Sequence, residues 1–308
     1  MYHYIRKENP NLPYFIYLHV DDFKEQIEYL NSKYKILTKN EFEKNLKEKS
    51  ITKNSIVLTF DDGFSDHFEY VYPILKKRNL WGIFYIPTMP YENKKLLDVH
   101  RVHYLLGRYG GKSVLNQLLL IIDCDDYIQD NEGVFEGSTY IKQDNDSATT
   151  KVKQIINYYL HPNKRSNILE KLLLKFGEIE EELCDKFYLT KNQINEMING
   201  GMSIASHGYS HTLFSNLNKQ EQCNEISKSN DILTSLTDGR DYKSFCYPYG
   251  GKQSYNENTL NCLENHEFLF AFSVESRDVN VKDMQKAYEL PRYDCNEFKH
   301  GQATKGKK

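Results

Sequence analysis

The stretch LTFDDGFSDH, Leu58 to His67, sets two adjacent carboxylates, Asp61 and Asp62, between an apolar run and a glycine. Neighbouring carboxylates repel, so an adjacent pair raises the question whether the two share one job or have two different ones. Alone, FDDG also reads as ordinary turn chemistry. Further along, SHGYSH holds His207 and His211 four apart. Two imidazoles at that spacing face one ligand if the segment turns helically. Imidazole is a common protein ligand for zinc-like ions, and either aspartate can complete a His-His-carboxylate set with open positions, an arrangement suited to hydrolysis. A third stretch, FCYPYGG (Phe245 to Gly251), combines Pro248, whose φ is fixed, with a Gly-Gly pair that lets the backbone turn sharply. Such a loop can aim backbone N–H groups into a cavity.

Each stretch follows an apolar run that reads as a buried strand, SIVLTF (55–60) and MSIAS (202–206) among them. In α/β sheets, sites form at the carboxyl ends of strands. GIFYIP (82–87) is a further buried strand, and DHFEYVYPILKKRN before it reads as a helix capped by Ser65 or Asp66. This strand–helix–strand rhythm predicts an α/β fold with a parallel sheet. MYHYIR is β-prone, and VDDFKEQIEYLNSKY has Phe23, Ile27 and Leu30 at helical spacing, with Asp21 or Asp22 as cap. From about residue 96 to 179 the rhythm gives way to helical segments around a polar stretch, Asp125 to Thr150, which reads as a loop. This block is expected to be a helical insertion within a single domain spanning 1–308. Beyond it lie a helix capped by Thr190 and stopped by glycine, a long polar helix near 218–236, and another near 255–265.

Composition excludes several classes. The chain has 308 residues, 39% of them hydrophobic, and a net charge of -3. Its one basic run is the terminal KGKK, so no nucleic-acid partner is expected. No apolar run approaches the roughly 20 residues of a membrane span, and MYHYIRKENPN has no signal-peptide apolar core. The six cysteines form no CxxC and read as reduced thiols, which suggests the cytoplasm.

Together and in this order, the three stretches resemble the polysaccharide deacetylase family, also called the NodB-homology domain or carbohydrate esterase family 4. The family's TFDDG motif matches Thr59–Gly63 in full. Its H-S/T-x-x-H motif reads His207-Gly-Tyr-Ser-His211, with glycine in second place. Its R-x-P-Y motif reads Cys246-Tyr-Pro248-Tyr249, without the arginine. The resemblance runs from about residue 1 to 298 and implies a distorted (β/α) barrel of the NodB type with parallel strands, plus the helical insertion. Members with the usual order carry a catalytic histidine in a C-terminal L-x-H strand, whereas His300 here lies in a polar tail. A circularly permuted branch, which includes biofilm poly-N-acetylglucosamine deacetylases, carries it in an N-terminal strand reading like MYHxV. MYHYIR is similar to that strand, so His3 is the candidate general acid, with His19 in IYLHV as its rival. In the same branch an arginine near the last strand pairs with the catalytic aspartate, which maps to Arg292 in LPRYD. Without that role Arg292 is a surface ion pair of little energetic consequence.

The resemblance implies one divalent ion on Asp62, His207 and His211, with zinc taken first and cobalt or nickel as alternatives. The ion would activate water and polarise the acyl carbonyl. Asp61 would accept the water's proton, and the backbone N–H of Tyr249, set by Pro248, would stabilise the oxyanion. His3 would protonate the leaving amine, and Arg292 would keep Asp61 ionised. The expected substrate is an N-acetylhexosamine-containing glycan or glycan precursor, with membrane association arising only through a lipid-linked substrate. A carbohydrate O-acetyl esterase and a non-catalytic carbohydrate-binding module are the alternatives. His100 and His103, on one helical face of the insertion, would either line a substrate cleft or form a satisfied face.

Overall fold

The computed structural model describes residues 1–128 and 145–305. Most of the polar stretch expected to be a loop, Asp125 to Thr150, lies outside the described residues. The chain divides into two compact units, one comprising Met1–Lys7, Tyr17–Lys94 and Asp185–Thr304, the other Glu8–Ile16 and Lys95–Cys184.

The first unit is built on short strands: β1 (Ile5–Arg6), β2 (Ile16–His19), β3 (Lys35–Ile36), β4 (Ser55–Ile56), β5 (Leu58–Phe60), β6 (Gly82–Ile86), β7 (Ser203–Ser206), β8 (Ser244–Cys246) and β9 (Phe270–Phe272). Five of them form one all-parallel sheet in the order β5-β6-β7-β8-β9. Both faces of that sheet are buried, as parallel sheets require. Along β6, Phe84 and Ile86 enter one apolar cluster with Phe60 and Ile204, while Ile83 and Tyr85 enter another with Ala205, Phe270 and Phe272. This is the two-residue period of a strand with a core on each side. The run 55–60 is not one strand. Ser55–Ile56 pairs with β3 and Leu58–Phe60 with β6, so the run feeds two sheets.

Helices α1 (Val20–Lys33), α2 (Lys39–Glu48), α3 (Tyr72–Lys77) and α4 (Met89–Asn93) precede the helical block, where α5 (Asp98–Leu119) packs against α6 (Ser147–Gln154) and α7 (Pro162–Lys175). Then come α8 (Glu180–Phe187), α9 (Lys191–Asn199), α10 (Lys219–Leu236) and α11 (Glu257–Asn265). Thr190 caps α9 in a full capping box with Gln193, as its sequence predicts. Two other caps differ. His19, not Asp21 or Asp22, caps α1, its Nδ1 accepting from the Asp21 N–H at 3.2 Å, and the aspartates sit in the first turn, where the helix dipole favours them. Neither Ser65 nor Asp66 caps the helix after β5: the Ser65 hydroxyl donates to the Lys186 carbonyl and Asp66 is taken by Arg6 at 2.7 Å. α5 is broken at Gly110, whose φ of 76° no residue with a Cβ adopts readily, so the two predicted helical segments abut across a kink.

The expectation of six reduced cysteines is corrected. Cys223 on α10 and Cys262 on α11 form a disulfide, with Cα atoms 5.4 Å apart. Spacing of 39 in sequence concealed a pairing made by two helices lying side by side.

Candidate metal centre

The three motifs meet at the carboxyl end of the five-stranded sheet. Asp61 and Asp62 follow β5, His207 follows β7, Cys246 ends β8, and Tyr249 lies on the loop beyond it. Leu290, two residues before Arg292, bridges Phe272 of β9 in parallel. On the opposite edge Tyr2 bridges Phe60, and the Asp61 N–H donates to the Tyr2 carbonyl at 2.9 Å. The N-terminal segment thus runs beside β5 and brings His3 close enough that its positive charge would lower the pKa of Asp61. The His3 carbonyl accepts from His67 Nε2 at 2.9 Å.

Asp62, His207 and His211 bring one donor atom each within 4.8 Å of one another. Asp62 Oδ1 stands 3.5 Å from His207 Nε2 and 3.4 Å from His211 Nε2. Those separations are long for hydrogen bonds. They match the edge of a tetrahedron whose bonds are about 2.0–2.1 Å, roughly 3.3–3.4 Å, so the donor set fits a zinc-like ion. His207 is prepared for it. Its Nδ1–H donates to the Cys246 carbonyl at 2.7 Å, which leaves the Nε2 lone pair facing Asp62. Burial holds the imidazole below its usual pKa against the pull of Asp61 and Asp62, favouring the neutral form that can ligate.

The pair reaches this arrangement differently from its sequence expectation. His207–His211 is not a helical turn. Gly208 has φ +78° and His211 φ +55°, so a left-handed loop aims both rings at one point. Asp62 (φ 76°) and Tyr249 (φ 64°) are also left-handed. Such backbone persists where surrounding structure over-determines it, and three of the chain's left-handed non-glycine residues stand at this site.

Asp61 has a separate environment. Arg292 donates to both of its oxygens, at 2.9 and 2.8 Å, and also to Thr59 Oγ1 at 3.0 Å. Arg292 is therefore a buried ion-pair partner, 6% exposed, and not a surface residue. Burial alone would raise the Asp61 pKa, but the guanidinium outweighs it and holds the carboxyl well below the usual carboxylate range. Cys246 stands 2.8 Å from Arg292 Nη2 and 3.5 Å from Asp61 Oδ2, its thiol pushed up by burial.

The family model for polysaccharide deacetylases matches residues 154–271, a span that includes both motif histidines. Over that span the chain is similar to polysaccharide deacetylases. Among curated members of the family, a Bacillus subtilis (strain 168) protein, YxkH, is 27% identical over 124 residues, covering 39% of this chain and 43% of that protein. The chain thus spans less than half the length of that curated relative. Among solved structures, the Streptococcus pyogenes deacetylase PplD in complex with acetate matches with TM-score 0.55 and 18% identity over 95% of this chain and 88% of that one. A de-N-acetylase from Aggregatibacter actinomycetemcomitans matches with TM-score 0.50 and 13% identity over 94% and 91%. At these identities the two structures speak for the deacetylase fold.

The remaining sequence candidates belong to neither of the donor clusters found among the described residues. His19 is engaged in capping α1. His100 and His103 lie on α5 in the second unit, ring centroids 6.3 Å apart, and join neither donor cluster found among the described residues. Tyr249 is 53% exposed, its ring centroid 5.1 Å from that of His211. Sequence reasoning missed Thr59, Cys246, His67 and Glu225 as neighbours of the site. Cys246 occupies the place of the motif's arginine, which was a signal; Glu225 reads as one more charge on a polar helix.

Proposed function

We propose that the protein is a metal-dependent deacetylase that hydrolyses the acetamide of N-acetylated sugar units in a polysaccharide or glycan precursor. The observation that carries this reading is the separation of two adjacent carboxylates into two environments, Asp62 with two imidazoles and Asp61 with a guanidinium. Asp62, His207 and His211 would hold one divalent ion, zinc first and cobalt or nickel as alternatives. Such an ion supplies Lewis-acid polarisation of the acyl oxygen and a more acidic water.

The chain's own residues do the rest. Asp61, ionised at neutral pH through Arg292, takes the proton of the attacking water. The backbone N–H of Tyr249, held by Pro248 and a left-handed φ, donates to the oxyanion that forms. His3 protonates the departing nitrogen, because an amine leaves poorly unless protonated. Its place on an N-terminal segment beside β5 agrees with the permuted branch of the family. The need for this acid favours an amide over an ester substrate.

No helix among the described residues is long and apolar enough to cross a membrane. A cytoplasmic setting keeps thiols reduced, so the Cys223–Cys262 disulfide argues instead for an oxidising one. The thiol state of protein taken directly from fractionated cells decides between them.

The test is acetate release from N-acetylglucosamine oligomers beside acetylated xylan, with zinc content measured on the same samples. Asp61→Asn retains metal and loses turnover by about 10²–10⁴-fold, and His207→Ala loses the metal. Wild-type acetate release by Asp61→Asn sinks the assignment. Acetate from xylan alone would make the protein an esterase, and sugar binding without metal or acetate would make it a binding module.

A further inference from the structure

The loop from His207 to His211 is tied down at every residue before the second histidine. The His207 N–H donates to the Ile86 carbonyl at 3.0 Å. The carbonyls of Gly208 and Tyr209 accept from the N–H groups of Thr88 and Met89, at 3.1 and 2.9 Å. Tyr209 also donates its hydroxyl to Glu92, with Lys228 Nζ 4.0 Å from its ring centroid. Ser210 is held by one carboxylate: its N–H donates to Glu225 Oε2 at 2.9 Å and its hydroxyl to Glu225 Oε1 at 2.7 Å. Both oxygens of Glu225 are thus spent on the residue immediately before His211.

Glu225 stands on α10, a helix anchored independently of the loop. Ile226 is fully buried in the core, Ser229 shares a hydrogen bond with Ser206 at 2.9 Å, and Cys223 is bonded to Cys262. The hydroxyl that the family pattern carries in the second place of this motif is absent here. Position 208 is a glycine at φ +78°, where a side chain would be strained. The loop's hydroxyl is found instead at position 210. His211 itself is left-handed at φ +55°, a conformation that a residue with a Cβ leaves unless its surroundings hold it.

We propose that Glu225 is a positioning residue of the metal centre, gripping Ser210 by both donors and so fixing where His211 Nε2 lies relative to Asp62 and His207. This rests on the reading of those three residues as metal ligands. Glu225 touches neither substrate nor ion and acts through Ser210.

The full-length protein tests it. Zinc dissociation constants are measured by competition with a fluorescent chelator, the cobalt form is examined by visible absorption, and the chelated proteins are compared by far-ultraviolet circular dichroism. Glu225→Ala raises the zinc dissociation constant about 10–100-fold, the usual consequence of losing a ligand's supporting partner. Its cobalt spectrum changes, while its chelated form keeps wild-type secondary structure. Glu225→Gln stays within about threefold, because its Oε1 can accept the Ser210 N–H and its Nε2 can donate to the Ser210 hydroxyl. Ser210→Ala, which keeps one of the two bonds and is the milder change to the fold, weakens zinc by about 2–12-fold. Adding it to Glu225→Ala weakens zinc no further. Wild-type zinc affinity in both Glu225→Ala and Ser210→Ala overturns the proposal. So does a loss in Glu225→Gln equal to that in Glu225→Ala, which would assign the effect to charge. If wild type and His207→Ala bind zinc equally, the metal reading itself falls and this one with it.

Discussion

Replacing Arg292 by methionine removes a guanidinium from a place where it makes charge-assisted bonds to both oxygens of Asp61, with the two side chains 5% and 3% exposed. The carboxylate remains, dry and without its cation. Breaking a buried pair from one side costs about 3–5 kcal/mol, a large share of the roughly 5–15 kcal/mol by which domains are stable. Removing both charges, Arg292→Met with Asp61→Asn, leaves no stranded ion and should come within about 2 kcal/mol of wild type. The direction with pH follows from the depressed pKa of Asp61. Its pairing stabilises the fold fully above the ordinary carboxylate value near 3.9 and is lost as pH falls below it. The gap between wild type and Arg292→Met should therefore narrow under acid conditions. Urea unfolding in the presence of a chelator, at pH 7 and along an acid series, measures all of this without interference from metal. A cost below about 1 kcal/mol for the single variant, or a double variant no more stable than the single, refutes the reasoning.

His67 is fully buried, and burial pushes its imidazole down to about 4, so it stays neutral in the fold and takes a proton on unfolding. Its contribution is complete above pH 6.5 and lost as pH falls toward 4, about 3 kcal/mol in all. The stability difference between wild type and His67→Phe should shrink by that amount across the window, and a flat difference would contradict it. The Cys223–Cys262 crosslink closes a sequence separation of 39, and Cys223→Ser with Cys262→Ser should cost about 4 kcal/mol by loop-closure entropy. Thiol titration of the denatured, unreduced protein should find four free cysteines, and six would disprove the bond.

Much of the site was legible because its chemistry is concentrated at strand ends. The apolar runs before FDDG and HGYSH announce β5 and β7, which flank β6 in one parallel sheet, so the sheet itself brings side chains at their carboxyl ends together. The convergence of His207 and His211 was legible but not its geometry. Helical spacing and a left-handed loop both bring positions four apart onto one ligand, and the glycine at 208 was the cue for the second. The caps of α1 and of the helix after β5 were misread because Asp and Ser are good caps in isolation, while here Ser65 and Asp66 are claimed by tertiary partners. The disulfide left no local mark, since pairing between α10 and α11 depends on how two helices pack.

The absent arginine of the third motif turns on a different point. The base role proposed for Asp61 requires one cation beside it, not a cation at one place in the chain. Here that cation arrives from position 292, and Cys246 at the motif position stands 2.8 Å from it. An arginine at 246 would bring a second guanidinium to a carboxylate whose two oxygens are already engaged, and the like charges would repel in a buried setting. A small thiol, kept protonated by burial, fills the place without adding charge. Cysteine at 246 and arginine at 292 are thus two halves of one solution. With Arg292 neutralising Asp61, and the donor spacing around Asp62 fitting a cation, the repulsion between adjacent carboxylates is offset twice, which is what lets neighbours in sequence hold different tasks.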